Sequence, residues 1–251
     1  MKVVGLIAEY NPFHNGHLYH IQKARELTGA EYVIVIMSGD FVQRGAPAVY
    51  DKYTRSMMAL KSGADLVLEM PSVFATSSAE DFAACGVALL DQLGIVDFLC
   101  FGSECGEVGP LLKIAGVLSE EQEDYQELLK DYVRSGLTYP DARAKALTSW
   151  LSLDPLESSL LFSPNNILGI EYIKALLRRK SGIIPITVKR TGHGYHDLSL
   201  SGEFASATAI RKLLASPDGL TSIASQVPEQ VLEAILQGMP VFPDDLTSLL
   251  N

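Results

Sequence analysis

Cysteine is scarce in this sequence: Cys85, Cys100 and Cys105 are the whole set. Thiols so few and so spaced exclude a disulfide framework, and none has the spacing of a metal-ligand motif. An odd, sparse set suits a reducing cytosol, so a cytoplasmic protein is expected. Positive charge is also short, with 20 Lys and Arg against 30 Asp and Glu and a net charge of −10. That excludes a surface built to coat nucleic acid, while leaving room for a local basic patch. Long apolar runs are missing. The first ends at Glu9, too short for a signal peptide, and no later one is long enough to span a bilayer, so no membrane partner is expected. Repeats, low-complexity tracts and any Ser-His-Asp or Cys-His arrangement are absent as well. What remains, 47% hydrophobic and 20% charged, is ordinary globular composition, long enough for one large α/β domain with a helical appendage.

The chain is organised around its first 25 residues. Val3, Val4, Leu6, Ile7 and Ala8 form a short apolar run of the kind that makes a buried parallel strand. A loop with Pro12 follows, and an amphipathic helix is expected from near His17. Between them stands the tetrad His14-Asn15-Gly16-His17. A helix mouth presents unpaired N–H groups and partial positive charge, which attract phosphate. Two imidazoles at such a mouth can donate to phosphate oxygens. Gly5 and Gly16 leave room for a ligand or a neighbouring backbone. The plainer alternative is a βα turn carrying surface histidines.

The rest of the chain repeats strand and helix. Strands are expected at Tyr32 to Met37, Asp65 to Met70, Val96 to Phe101 and Gly182 to Lys189. Helices are expected at Lys52 to Ser62, Ser77 to Leu93, Ile167 to Arg179 and Ser206 to Ala215, with Glu107 to Leu151 helical throughout. Within that stretch the acidic run from Glu120 to Asp124 reads as a solvated helix face. The fold class is therefore α/β, a Rossmann-like open parallel five-stranded sheet with helices on both faces and a helical C-terminal segment. Residues 1–217 are expected to form the nucleotide-binding domain and 218–251 the short C-terminal segment. Such sheets bind ligands outside the carboxyl ends of their strands. That edge gathers the loops at His14 to His17, Ser38 to Gly45, Gly102 to Glu104 and Arg190 to Asp197.

A second motif lies late, at Phe204-Ala205-Ser206-Ala207-Thr208-Ala209-Ile210-Arg211. Ser206 and Thr208 stand at a helix mouth, where hydroxyls either cap the helix or bind phosphate, and Arg211 adds a cation one turn on. Alone this is an N-cap with a solvent-facing arginine. His193, His196 and Asp197 have spacing that suggests a metal, but without a visible fourth ligand they read as a polar loop near the nucleotide. Cys100 and Cys105 read as small buried hydrophobes.

Together the H-x-G-H loop and the Ser/Thr/Arg helix resemble the HIGH-type nucleotidyltransferases, with Ala207 in place of a second serine. More finely, GLIAEYNPFHNGHLYH, MSGDFVQRGAPA, KSGADLVLEMP, FGSE, SPNNILGIEY, KRTGHGYHD and SATAIR run in the order seen in the bacterial tRNA(Met) cytidine acetate ligases. The resemblance implies ATP, with Mg2+, and acetate as substrates. Acetate attacks the α-phosphate, pyrophosphate leaves, and the acetyl group passes from acetyl-adenylate to N4 of the wobble cytidine of elongator tRNA(Met). It implies catalytic roles for His14, His17, Thr208 and Arg211. It also implies an ATP site made of Ile7, Ala8, Glu9, Tyr10, Asn11, Pro12, Phe13, His14, Asn15, Gly16, His17, Leu18, Tyr19 and His20, with Gly102, Asn165, Asn166, Arg190 and Ser206. Gly102 lets the backbone approach the nucleotide, and Asn165-Asn166 read a base or ribose or else cap a helix. Asp40, Gln43 and Arg44 are the candidates for the acceptor side, against a plain surface loop with one salt bridge. No protein metal ligand is expected. The family continues well beyond the equivalent of Asp244-Asp245-Leu246 with a helical region expected to help hold tRNA, so residues 218–251 read as the start of a truncated or lost region. Two rivals stay open: a nucleotidyltransferase acting on a small phosphate acceptor, and an ATP-binding module without catalysis.

Overall fold

The computed structural model describes residues 1–120, 122–190, 205–216 and 219–247. Five strands, β1 (Val3–Ala8), β2 (Tyr32–Ser38), β3 (Leu66–Met70), β4 (Phe98–Ser103) and β5 (Ile184–Lys189), form one sheet in the order β3-β2-β1-β4-β5. Every pairing is parallel, with Val4 opposite Val33 on one side and Phe98 on the other. The chain builds outward from β1 to β3, then returns to lay β4 against the other side of β1. That reversal opens a crevice above the carboxyl ends of β1 and β4.

The strands are apolar on both faces because each face carries helices. Val3, Ile34, Ile36, Leu99 and Phe101 face one core with α4 (Ala79–Gln92), α5 (Val108–Glu120), α6 (Glu123–Arg134), α7 (Tyr139–Leu151) and α9 (Pro164–Arg179). Val4, Leu6, Val33, Val35, Cys100 and Val188 face the other with α1 (Asn15–Thr28), α2 (Lys52–Lys61), α10 (Ala207–Leu214) and α12 (Glu229–Gln237). Short helices α3 (Ser72–Ala75), α8 (Pro155–Ser159) and α11 (Gly219–Ile223) complete the order. Ile223, Val231 and Ile235 share the second core with α1 and α2. Among the described residues no helix is long and apolar enough to cross a membrane.

Several boundaries differ from the sequence reading. α1 starts at Asn15 rather than near His17, because His14 itself is the N-cap. β3 starts at Leu66 and β4 at Phe98, one and two residues late. The preceding aspartates serve the neighbouring strands instead: Asp65 Oδ2 accepts the Val33 N–H and Asp97 Oδ2 the Val3 N–H, each at 2.7 Å. The stretch from Glu107 to Leu151 divides into three helices, with Gly136 in the left-handed region at φ +93 between α6 and α7. The acidic run is therefore not one helix face. Glu120 ends α5, and Glu123 and Asp124 open α6, where a helix N-terminus favours carboxylates. Gly5 gives way to a side chain rather than a ligand or backbone, since a Cβ there would lie 2.6 Å from Leu90 Cδ1 on α4.

Candidate functional site

The crevice above β1 and β4 holds a cavity of about 360 Å³. Its walls are the β1–α1 loop, the β2–α2 loop, the start of α9, the end of β5, the start of α10 and the stretch Val241-Phe242-Pro243. A larger hollow of about 530 Å³ lies among α4, α5, α6, α7 and α9. Lys174 and Arg178 in it are both held by Glu80 at 3.0 Å, and it contains none of the strand-end loops. Chemistry therefore points to the smaller cavity.

The two histidines of the tetrad cap their own helix. His14 Nδ1 accepts the Gly16 N–H at 3.1 Å, and His17 Nδ1 accepts the His14 N–H at 3.3 Å. This is a capping box with imidazoles in place of the usual hydroxyl and carboxyl. With each Nδ1 used as an acceptor, the neutral ring carries its proton on Nε2, as assigned from this network. The rings stack with centroids 3.7 Å apart. Tyr10, in the left-handed region at φ 47, sets its ring edge-on to His17 at 4.8 Å. Burial, then the charges of Arg190 and Arg211, pushes His14 down to about 3. Burial, then His14, lowers His17, and burial with Arg190 brings His20 to about 4. All three are thus neutral donors near pH 7. His14 is 7% exposed, so the turn with surface histidines does not describe it.

The late motif reaches the same place. Ser206 Oγ accepts the Ala209 N–H at 3.1 Å and caps α10. Arg211 donates through Nη1 to the Asn11 carbonyl at 2.7 Å and through Nη2 to Thr208 Oγ1 at 3.1 Å. One guanidinium therefore ties α10 to the first loop across 200 residues of sequence. Arg211 is not a solvent-facing cation.

Of the expected nucleotide residues, Ile7, Ala8, Glu9, Tyr10, Asn11, His14, Gly16, His17, Tyr19, His20, Gly102, Asn165, Arg190 and Ser206 line the cavity, with Thr208 and Arg211. Pro12, Phe13, Asn15, Leu18 and Asn166 are not among its lining residues. Phe13 is in the core beneath, and Asn15 donates to the Ser225 carbonyl at 3.1 Å. Asn166 is 1% exposed, its Oδ1 accepting the N–H groups of Glu104 and Cys105. Neither asparagine caps α9. Glu104 of the FGSE loop does so, with Oε1 on the Asn165 N–H and Oε2 on the Asn166 N–H. A Cβ on Gly102 would press on Arg190 Cγ at 3.3 Å, so the space at Gly102 is taken up by that arginine.

On the acceptor side Gln43 and Arg44 line the cavity, but Asp40 turns away to accept the Lys52 N–H at 2.8 Å. Cys100 is buried with Sγ 3.5 Å from His20 Nε2, while Cys105 is only half-buried. His193, His196 and Asp197 lie outside the described residues. Among the described residues no group of three or more His, Cys, Asp or Glu is placed to hold a metal ion. Sequence reasoning missed Val42, Tyr172, Lys189 and Phe242 as wall residues. Tyr172 and Lys189 sat inside expected regular elements, where a polar tip looks like ordinary surface.

The HIGH Nucleotidyl Transferase family profile matches residues 1–251. The tRNA(Met) cytidine acetate ligase of Caldanaerobacter subterraneus subsp. tengcongensis is 48% identical over 255 residues, covering 100% of this chain and 63% of that protein. The enzyme of the same name from Acetivibrio thermocellus is 44% identical, with 100% and 63% covered. The chain thus spans about three fifths of these relatives. A crystal structure of Thermotoga maritima TmcAL bound with α-thio ATP superposes with a TM-score of 0.90 at 41% identity, covering 98% of this chain and 59% of that one. Its apo form gives 0.93 at 42% identity, covering 98% and 60%.

Proposed function

The chain belongs to the HIGH nucleotidyl transferase family, and from that premise we propose that it activates acetate with ATP and passes the acetyl group to tRNA. The observation that carries the first half is the convergence of His14, His17 and Arg211 on one cavity, tied through the Asn11 carbonyl. An acetate oxygen attacks the α-phosphorus and the bond to the β-phosphate oxygen breaks. Pyrophosphate leaves, and acetyl-adenylate remains. Charge builds on the phosphate oxygens as this happens. Preorganised Nε2–H groups and arginines aimed at that charge lower the barrier without a covalent nucleophile. In the second half the N4 amine of the wobble cytidine of elongator tRNA(Met) attacks the acetyl carbonyl, AMP leaves and the amine loses a proton. Support for this acceptor comes from relatives named tRNA(Met) cytidine acetate ligase.

Mg2+ would accompany the nucleotide, and the chemistry it would supply is neutralisation of phosphate charge. Among the described lining residues Glu9 is the carboxylate that would hold it, with phosphate and water oxygens expected to complete its shell. Catalytic roles for His14, His17, Thr208 and Arg211, and acceptor contacts for Gln43 and Arg44, form part of the same proposal. The test is pyrophosphate release with ATP, Mg2+ and acetate, followed by nucleoside analysis of added tRNA(Met). Acetate-stimulated release and N4-acetylcytidine are expected. Intact ATP binding with no acetate-stimulated release would sink the proposal.

A further inference from the structure

Arg55 lies on α2 with no exposed surface. Among the described residues its guanidinium donates only to backbone carbonyls. Nε reaches Tyr50 O at 2.9 Å, Nη1 reaches Glu9 O at 2.6 Å, and Nη2 reaches Ser38 O at 3.1 Å and Gly39 O. Those carbonyls belong to three segments: the exit of β1, the exit of β2 and the approach to α2. Glu9 carries the link onward, its Oε1 accepting the Gln43 N–H at 2.9 Å. Nearby, Asn11 Oδ1 accepts the Val49 N–H at 2.7 Å. The loop from Gly39 to Tyr50 is thus pinned to the first loop at its base by Arg55 and along its length by Glu9 and Asn11.

A core position on α2 beside Met58 and Ala59 has no packing need for a charge. Burying one is costly unless its hydrogen bonds are met. Here burial lowers the pKa, while Asp40, Glu9, Asp51 and Glu69 act against it. A guanidinium stays charged regardless, and its rigid fork of donors is what lets one side chain hold several carbonyls at fixed angles. Lysine, with one nitrogen, cannot replace that set.

We propose that Arg55 is a positioning residue that fixes the loop carrying Gln43 and Arg44 against the nucleotide loop, so that acetate meets the α-phosphate in line. The proposal rests on the acetate-activating reading above. Its test is Arg55→Lys, with folding checked by circular dichroism. Misplacing reacting groups by about 1 Å costs roughly 100-fold in rate, and acetate-dependent pyrophosphate release is expected to fall by that order. ATP affinity by calorimetry stays close to that of the parent, because the capping box and Arg211 are untouched. Trypsin cleavage after Arg44 speeds up about tenfold as the loop loosens. Parental protection at Arg44, or ATP affinity falling in step with turnover, overturns the proposal. If Arg55→Lys does not fold, Glu9→Ala cuts the same link one step later. Faster cleavage after Arg44 then supports the clamp, and a parental rate overturns it. Should the parent release no acetate-dependent pyrophosphate, the acetate reading fails alone. Proteolysis and calorimetry still decide the clamp.

Discussion

Replacing His14 by asparagine and by alanine separates its two duties. Its Nδ1 accepts the Gly16 N–H at 3.1 Å, and the residue also lines the cavity. Asparagine is among the best N-caps and keeps an acceptor for that N–H, whereas alanine loses about 1 kcal/mol of capping. In a protein of this size that is about 2–4 °C of Tm. Both variants lose the stack on His17, so their difference in Tm isolates the cap. Both also lose the Nε2–H donor. Removing one donor aimed at developing charge costs about 100- to 1,000-fold in turnover. Scanning calorimetry paired with acetate-dependent pyrophosphate release reads both duties. Asparagine is expected to melt above alanine while both lose turnover alike. If asparagine restored turnover along with Tm, His14 would be a cap and nothing more.

Acid should weaken the unliganded fold in a defined window. Above pH 6.5 neither state protonates His14 or His20, whereas from 6.5 down to about 4 the unfolded chain binds protons that the folded site refuses. Stability therefore rises with pH across that window, by at most about 1.4 kcal/mol per unit for each histidine. Urea midpoints that stay flat from pH 7 to about pH 5 would contradict this. Arg211→Lys removes a charge-assisted bond to the Asn11 carbonyl worth about 1.5–3 kcal/mol. ATP affinity should drop about tenfold or more by calorimetry, and unchanged affinity would detach α10 from the nucleotide. Gly169→Ala on α9 sets helix propensity, about 1 kcal/mol in favour, against a Cβ only 2.6 Å from the Phe101 ring. Overpacking costs about 1–3 kcal/mol, so Tm should fall. A rise would mean that the ring moves freely.

The five strands were legible because each is an apolar run too short for a helix and bounded by polar or Gly/Pro breaks. The start of α1 was not, because histidine ranks outside the usual N-caps and only the Nδ1 geometry reveals its role. The motifs at His14 and Arg211 were readable as sharing one edge of the sheet, but the bond through Asn11 was not, since no local pattern encodes a contact across 200 residues. Asn165 and Asn166 looked equivalent. Helical rotation sends the first to the cavity and the second to the Glu104 backbone. Arg55 escaped notice although it shares the buried stripe with Met58 and Ala59. A charge on an apolar stripe was the available signal.

The tie between Arg211 and Asn11 has a consequence for a chain made from its N-terminus. Among the described residues the last strand ends at Lys189, so those five strands are made before α10 has been synthesised. The Asn11 carbonyl meanwhile waits for its arginine. At about 5–20 residues per second this interval lasts a few seconds. A nascent chain paused there would hold a sheet beneath a cavity still lacking the walls supplied by α10 and by Val241-Phe242-Pro243. Nucleotide added to ribosome-bound chains arrested before and after α10 should be retained only by the longer ones. The birth of the site is thus timed by residues far along the chain from the loop they close.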